Sequence, residues 1–295
     1  MSSTPEDLDP ETARAVTEAV TRALAEDVGP EGDLTAALVP AGATAHFALR
    51  ARAKGVLAGQ ECVTETFRQI DPDLKLAWQC ADGAALEPGD TVMEVTGTLR
   101  SILTAERTAL NFLGHLSGIA TLTAKFVTAA HASHPAAAIL DTRKTTPGLR
   151  LLEKAAVRAG GGTSHRSGLS DAVLVKDNHL AGTTITSAVE RARALWPGRM
   201  VEIECDTLEQ VAEAARAGAD AVLLDNMGPA SVIEAIEVAG VEATGPILTE
   251  VSGGVTLETV GAYAAAGPDR ISIGALTHSA PVLDLGLDLV WTEGG

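Results

Sequence analysis

The chain has 295 residues, a formal net charge of −17 and 3% aromatic residues. So acidic a surface repels nucleic acid and anionic membrane, and neither is an expected partner. Cys62, Cys80 and Cys205 are too few and too scattered for a disulfide framework or a cysteine zinc site. Residues 1–10 are polar and acidic, with no secretory pattern, and no apolar run approaches the ~18 residues of a spanning helix. A cytoplasmic location is the expectation.

In chain order, residues 10–26 predict an amphipathic helix with Ala13, Val16, Val20 and Leu24 on one face. Gly32-Asp33-Leu34-Thr35 follows as a turn. Short alternating runs at 46–51, 74–78 and 91–95 predict strands, separated by turn clusters such as Ala81-Asp82-Gly83 and Glu87-Pro88-Gly89-Asp90; residues 62–70 read as a helix. This half is expected to be an α+β domain with an antiparallel sheet. Residues 104–131 read as two helices broken near 114–118, which sets the expected boundary between domains 1–116 and 117–279.

Beyond Pro135 the pattern changes. Apolar runs at 138–140, 172–175, 201–203, 221–224, 247–251 and 270–273 alternate with helical segments such as 207–217 and 256–266. That spacing predicts repeated βα units around a parallel sheet, and the lack of a dinucleotide fingerprint favours a barrel over a doubly wound fold. Strand ends in such a barrel converge on one face. Here they carry Asp141-Thr142-Arg143-Lys144, Lys176-Asp177-Asn178-His179, Glu204-Cys205-Asp206, Asp225-Asn226, Ser252-Gly253-Gly254 and Gly274-Ala275.

Residues 141–179 hold seven Lys and Arg against four Asp and Glu, inside a strongly acidic chain. Residues 151–159 read as a helix whose charges face water, with Glu153 pairing Arg150 or Arg158. Arg143, Lys144, Arg166 and Lys176 lie outside it and predict a small polyanionic ligand held by charge-assisted hydrogen bonds. Ser252-Gly253-Gly254 and Gly274 suit a phosphate cradle. Glu204 and Asp225 suit ribose hydroxyls or Mg2+, or a structural pairing with a lysine. His131 and His134 lack a third metal ligand, and Cys205 reads as core.

The run Leu-Asp-Thr-Arg-Lys-Thr-Thr-Pro-Gly-Leu-Arg from Leu140, then Leu-Glu-Lys, the triple glycine from Gly160, His165-Arg166 and Val-Lys-Asp-Asn-His from Val175, resembles the quinolinate phosphoribosyltransferase family. Residues 105–111, 201–206, 224–226 and 250–254 extend the resemblance over most of the chain, as do Gly32-Asp33-Leu34-Thr35 and residues 55–59. Thr163-Ser164, Ser170, Ala155 and Ala159 depart from the usual pattern without removing a charged candidate.

The resemblance implies an α/β fold: an incomplete, about seven-stranded α/β barrel with an α+β open-sandwich N-terminal domain. The seventh strand is expected within 160–171, and the tail, 280–295, is expected to return to the N-terminal domain. It further implies a homodimer or hexamer with shared active sites, and a Mg2+-assisted reaction of quinolinate with phosphoribosyl pyrophosphate (PRPP) giving nicotinate mononucleotide, pyrophosphate and CO2. Arg107, Arg143, Lys144, His165, Arg166 and Lys176 are the implied quinolinate ligands. Lys144, Lys176, Glu204, Asp225, Ser252, Gly253, Gly254 and Gly274 are the implied PRPP ligands, with Lys144, Glu204 and Asp225 catalytic and the two acids as Mg2+ ligands. A transferase acting on nicotinate, a Schiff-base aldolase using Lys144 or Lys176, and a non-catalytic phosphate sensor are the competing readings.

Overall fold

A computed structural model describes residues 9–294; residues 1–8, most of the polar N-terminal segment, lie outside the described residues. The first half runs α1 (Pro10–Val28), β1 (Thr44–Ala51), β2 (Gly55–Val56), α2 (Gln60–Ile70), β3 (Lys75–Trp78), β4 (Ala85–Leu86), β5 (Thr91–Thr98) and α3 (Leu99–His131). Then follow β6 (Ala138–Leu140), α4 (Arg150–Ala159), β7 (Val173–Val175), α5 (Ile185–Leu195), β8 (Val201–Cys205), α6 (Leu208–Arg216), β9 (Ala221–Asp225) and α7 (Pro229–Glu242). The chain closes with β10 (Leu248–Ser252), α8 (Val260–Ala265), β11 (Arg270–Ser272), α9 (Ala275–His278) and β12 (Leu285–Glu293). Two compact units result. One comprises Met1–Leu122, Thr145–Gly161 and Thr277–Gly295; the other comprises Thr123–Lys144 and Gly162–Leu276.

In the first unit, α1 starts where Asp9 Oδ1 accepts from the backbone N–H of Glu11 and Thr12 at 3.1 and 3.0 Å, with Pro10 opening the helix. An antiparallel sheet of order β12-β1-β5-β3 turns Phe47, Leu49, Met93 and Val95 into a core shared with Phe67 of α2 and Ile102 and Leu113 of α3. β12 lies against β1, with Leu287 opposite Leu49.

α3 is a single helix of 33 residues, without the expected break at 114–118. The glycines there serve packing. Gly114 O accepts from Leu283 N at 2.9 Å, and a Cβ on Gly118 would lie 2.1 Å from Pro281 O. Bare backbone lets the segment 281–283 cross the helix closely. The expected solvated face of α4 is also overturned: Glu153 and Lys154 are buried. Glu153 Oε1 pairs with His115 Nε2 at 2.8 Å and its Oε2 accepts from Thr146 N at 3.1 Å, so its partners come from outside its own helix.

The second unit holds a parallel six-stranded sheet of order β6-β11-β10-β9-β8-β7. Its strands are buried on both faces, as crossover connections require. Along β8, Val201, Ile203 and Cys205 share one face and Glu202 and Glu204 the other. Thr207 and Gln210 form a reciprocal cap that starts α6, which buries Val211, Ala214 and Ala215. The seventh strand expected in 160–171 is a single bridge, Leu140 to Thr163, after which the chain turns away; β6 and β7 remain the sheet's ends. Among the described residues no helix is long and apolar enough to cross a membrane.

Gly118→Ala should lower stability by about 1–3 kcal/mol, because overpacking against the Pro281 carbonyl outweighs the helix propensity gained. A thermal or urea melt measures this. An unchanged midpoint would show that segment 281–283 does not press on the helix.

Candidate active site

Because the six strands are parallel, their C-terminal ends lie along one edge of the second unit. Asp225, Ser252, Ser272 and Leu140 stand abreast in register. The segments beyond them bring together Arg143 and Lys144 after β6, Lys176 after β7, Glu204 near the end of β8, Asp225 closing β9, Ser252-Gly253-Gly254 at β10 and Gly274 after β11. Arg143 and Lys144 are exposed. Arg107 lies in the other unit, exposed on α3, where it lines a cavity of about 300 Å³ with Asp27, Asp33 and Thr104.

The turn after β9 has tight local geometry. Asn226 has φ 56°, and among the described residues it is the one non-glycine with positive φ. Its N–H donates to Ser252 O at 2.9 Å and its Nδ2 to Asp225 Oδ2 at 2.6 Å. A Cβ on Gly253 would lie 2.3 Å from Asn226 Oδ1, so glycine is required there, at φ +100°. Asn226 thus supports Asp225 and ties two strand ends together. Sequence reading passed over it as a site residue, although its place beside Asp225 was the available signal. Glu204 Oε2 is held by Lys176 Nζ, the lysine pairing that remained open for it.

Behind this edge lies a buried ionisable cluster. His165 Nε2 is 3.2 Å from Glu202 Oε2 and 3.3 Å from Glu250 Oε1, and the two glutamate side chains are 2% and 0% exposed. Ser272 Oγ donates to Glu250 Oε1. The Nδ1 of His165 accepts the Arg166 backbone N–H at 2.7 Å, and the His165 N–H donates to Asp141 Oδ1 at 2.9 Å. Burial opposes charge on His165, but the hydrogen bonds and charges of Glu202 and Glu250 outweigh it and raise its pKa to about 9. Burial likewise pushes Glu202 up, against the opposing pull of His165.

An imidazolium would carry a proton on Nδ1, facing the Arg166 N–H donor. The same proton count is met by an Nε2–H imidazole with Glu202 protonated, in line with the upward push on Glu202. The Arg166 N–H at Nδ1 favours this second arrangement, with the protons on the glutamate side of the ring. These three side chains also converge closely enough to hold a metal ion, a grouping distinct from Glu204 and Asp225. Sequence reading named His165 but missed Glu202 and Glu250. The signal for Glu202 was its two-residue offset from Glu204.

Arg166 is fixed at a second point, where Nη1 donates to Ala172 O at 3.2 Å. Burial, then repulsion from Arg143, lowers its pKa, which marks two guanidinium groups near enough to oppose each other. A ligand with adjacent negative charges relieves that repulsion. Glu204 and Asp225 supply oxygen donors at the open edge. That donor set suits Mg2+, which takes one or two carboxylates and fills its remaining positions with water and phosphate oxygens.

The folded-state pKa of the cluster lies above the unfolded histidine value of 6.5. Its stabilising contribution is therefore complete below that value and lost as pH rises through about 9. The thermal midpoint should fall between pH 7 and 10, and fall less in Glu250→Gln. Equal slopes in the two proteins would show that no such proton is held.

Family models match nearly the whole chain: the N-terminal domain of quinolinate phosphoribosyl transferase over residues 33–117, and its C-terminal domain over 119–288. A carboxylating nicotinate-nucleotide pyrophosphorylase of Mycobacterium leprae is 40% identical over 279 residues, covering 93% of this chain and 97% of that one. The solved nicotinate-nucleotide pyrophosphorylase of Francisella tularensis superposes with a TM-score of 0.89 at 36% identity, covering 98% of this chain and 100% of that one. NadC of Streptococcus pyogenes gives 0.88 at 41%, with 98% and 100% covered. With both domains matched and this identity held over nearly the full length of its relatives, the chain belongs to the quinolinate phosphoribosyltransferase family.

Proposed function

We propose that the chain catalyses its family's reaction through the residues gathered at the C-terminal edge of the parallel sheet. Quinolinate and PRPP give nicotinate mononucleotide, pyrophosphate and CO2: the ring nitrogen bonds to the ribosyl carbon, pyrophosphate departs from it, and the 2-carboxylate is lost. The observation that carries this reading is the succession of cations, acids and a glycine turn beyond the C-terminal ends of one parallel sheet, with Arg143 close enough to Arg166 to repel it. Adjacent carboxylates suit the cations, a phosphoribosyl group the acids and the turn.

In this reading Arg143 and Arg166, with Lys144, Lys176 and the partner's Arg107, hold the two carboxylates of quinolinate; arginine forks engage carboxylates bidentately. His165 belongs to the same clamp from behind, since both its ring nitrogens are engaged within the unit. Lys144 lies between acceptor and donor. Glu204 and Asp225 bind ribose hydroxyls and offset positive charge developing at the ribosyl carbon. Ser252, Gly253, Gly254 and Gly274 receive the 5′-phosphate, the consecutive left-handed glycines leaving backbone N–H groups unobstructed. Mg2+, which Glu204 and Asp225 would hold, supplies charge neutralisation for the departing pyrophosphate. No side-chain nucleophile is needed: positioning and electrostatics suffice, and a quaternised ring nitrogen makes loss of the adjacent carboxylate favourable.

We propose a homodimer in which each subunit completes its neighbour's site, with Arg107, exposed on α3, as the residue supplied. Free thiols at Cys62, Cys80 and Cys205 accord with a reducing cytoplasm.

Turnover is tested by following nicotinate mononucleotide and CO2 from quinolinate, PRPP and Mg2+, with nicotinate as a parallel acceptor. Product from quinolinate is expected; its absence from folded protein would defeat the assignment. Arg143→Ala and Arg166→Ala should each weaken quinolinate binding by about 2–4 kcal/mol, because a desolvated carboxylate loses its partner. Near-native affinity in both would remove the clamp. Arg107→Ala and Lys144→Ala proteins, each inactive, should regain activity when mixed as hybrid dimers. No recovery would mean that sites are not shared.

A further inference from the structure

We infer that Glu202 and Glu250 are positioning residues for the acceptor clamp: together they hold the His165 ring in the one orientation that fixes Arg166. The inference rests on the reading of Arg166 as an acceptor ligand. Each glutamate side chain is almost wholly buried; Glu250 Oε2 also lies 4.0 Å from Arg270 Nη1, and Glu202 attracts the Arg166 guanidinium through space. What both of them contact is the ring. Its Nε2 faces both carboxylates, and its Nδ1, directly across the ring, receives the Arg166 N–H.

An imidazole has two nitrogens, and the hydrogen bond made by one sets the proton on the other. Acceptors crowded about Nε2 keep the proton there. That leaves Nδ1 bare, as the Arg166 N–H requires. Replacing the glutamates removes the two acceptors that select this tautomer and hold the ring, and so weakens the bond to the Arg166 N–H. The same residue's guanidinium donates through Nη1 to Ala172 O, so a shift in its backbone moves the fork that meets the carboxylates.

A purely structural reading competes. Buried ionic clusters are commonly replaceable by apolar residues without loss of stability. Ser272 argues for a built arrangement, since it spends its hydroxyl on Glu250 Oε1, the oxygen nearest the ring. The cluster also spans three separate pieces of chain: β8, β10 and the loop carrying His165 and Arg166.

The test uses the full-length protein with Glu202→Gln, Glu250→Gln, His165→Asn and each glutamate variant combined with His165→Asn. Asparagine keeps an acceptor near the Nδ1 position but cannot reach the acids. Each glutamate variant should raise KM for quinolinate by ~tenfold or more while KM for PRPP and kcat stay within about threefold. In the His165→Asn background the same substitutions should add less than about twofold, as residues acting through one intermediary do not add. Parallel rises in both KM values, or multiplicative effects in the double variants, would overturn the inference. Should Glu250→Gln fail to fold, Ser272→Ala must give the same selective effect in smaller size, and the absence of selectivity there counts against it equally.

A measurement independent of turnover separates this inference from the assigned reaction. In 15N-labelled wild-type protein, the His165 ring should show Nδ1 without a proton and Nε2 with one, and the glutamate substitutions should disturb that state. A protonated Nδ1, or a ring unchanged by both substitutions, overturns the positioning role whatever substrate the enzyme accepts. Absence of turnover with quinolinate overturns the reaction while leaving the ring measurement decisive.

Discussion

Two carboxylates buried inside one parallel sheet constrain much of what surrounds the candidate site. Removing each from water costs several kcal/mol unless it is neutralised or hydrogen-bonded. Two together cannot both stay charged without a partner. Glu202 and Glu250 meet this with His165, the Ser272 hydroxyl and Arg270, whose Nη1 is 4.0 Å from Glu250 Oε2. His165 sits on no strand. It reaches the glutamates from a loop that Thr163 joins to β6 by a single bridge and that Asp141 holds by accepting the His165 N–H. The interior acids therefore dictate where a surface loop lies, and with it Arg166.

The charge distribution raises a second question: why should an acidic chain bind two anionic substrates? At physiological ionic strength a charge is screened beyond about 8 Å, so the net −17 of the molecule matters less to a docked ligand than the cations beside it. Two of the acids at the edge are occupied. Glu204 is held by Lys176 and Asp225 by Asn226. Burial, then repulsion from Arg143, lowers Arg166, so these two guanidinium groups oppose each other. A diacid that bridges two repelling guanidinium groups gains more than a monoacid does, because one carboxylate leaves part of the repulsion in place. In the proposed clamp, this electrostatic difference would favour quinolinate over nicotinate.

Much of the fold was legible because parallel strands leave a simple trace. Covered on both faces, β6, β9 and β11 read as short apolar runs, and their polar ends followed from the chain direction. What escaped was the meaning of residues whose partners lie far away in sequence. Gly114 and Gly118 looked like a helix break because no local pattern announces that residues 281–283 will cross them. Glu153 looked solvated because Arg150 and Arg158 stand at helical spacing, whereas its partners are His115 and Thr146. The seventh strand shrank to one bridge at Thr163, since glycines before it and a turn after it left no run to pair. In the site, the exposed cations were legible from their density, and the buried acids were not.

β8 shows how one strand serves both roles. Glu202 and Glu204 share a face two residues apart, about 6.6 Å along the strand. That is roughly one side-chain layer in depth. At the outer layer a carboxylate can meet Lys176 and remain within reach of a hydroxyl or a hydrated cation. At the inner layer the same carboxylate has only protein around it and must take its partner from His165. A shift of one residue in register would turn both acids towards the helices, against the apolar face that Val201, Ile203 and Cys205 now fill. The alternation that buries those three residues thus also sets the depth of the two acids, and packing of the outer face is what gives the inner face its chemistry.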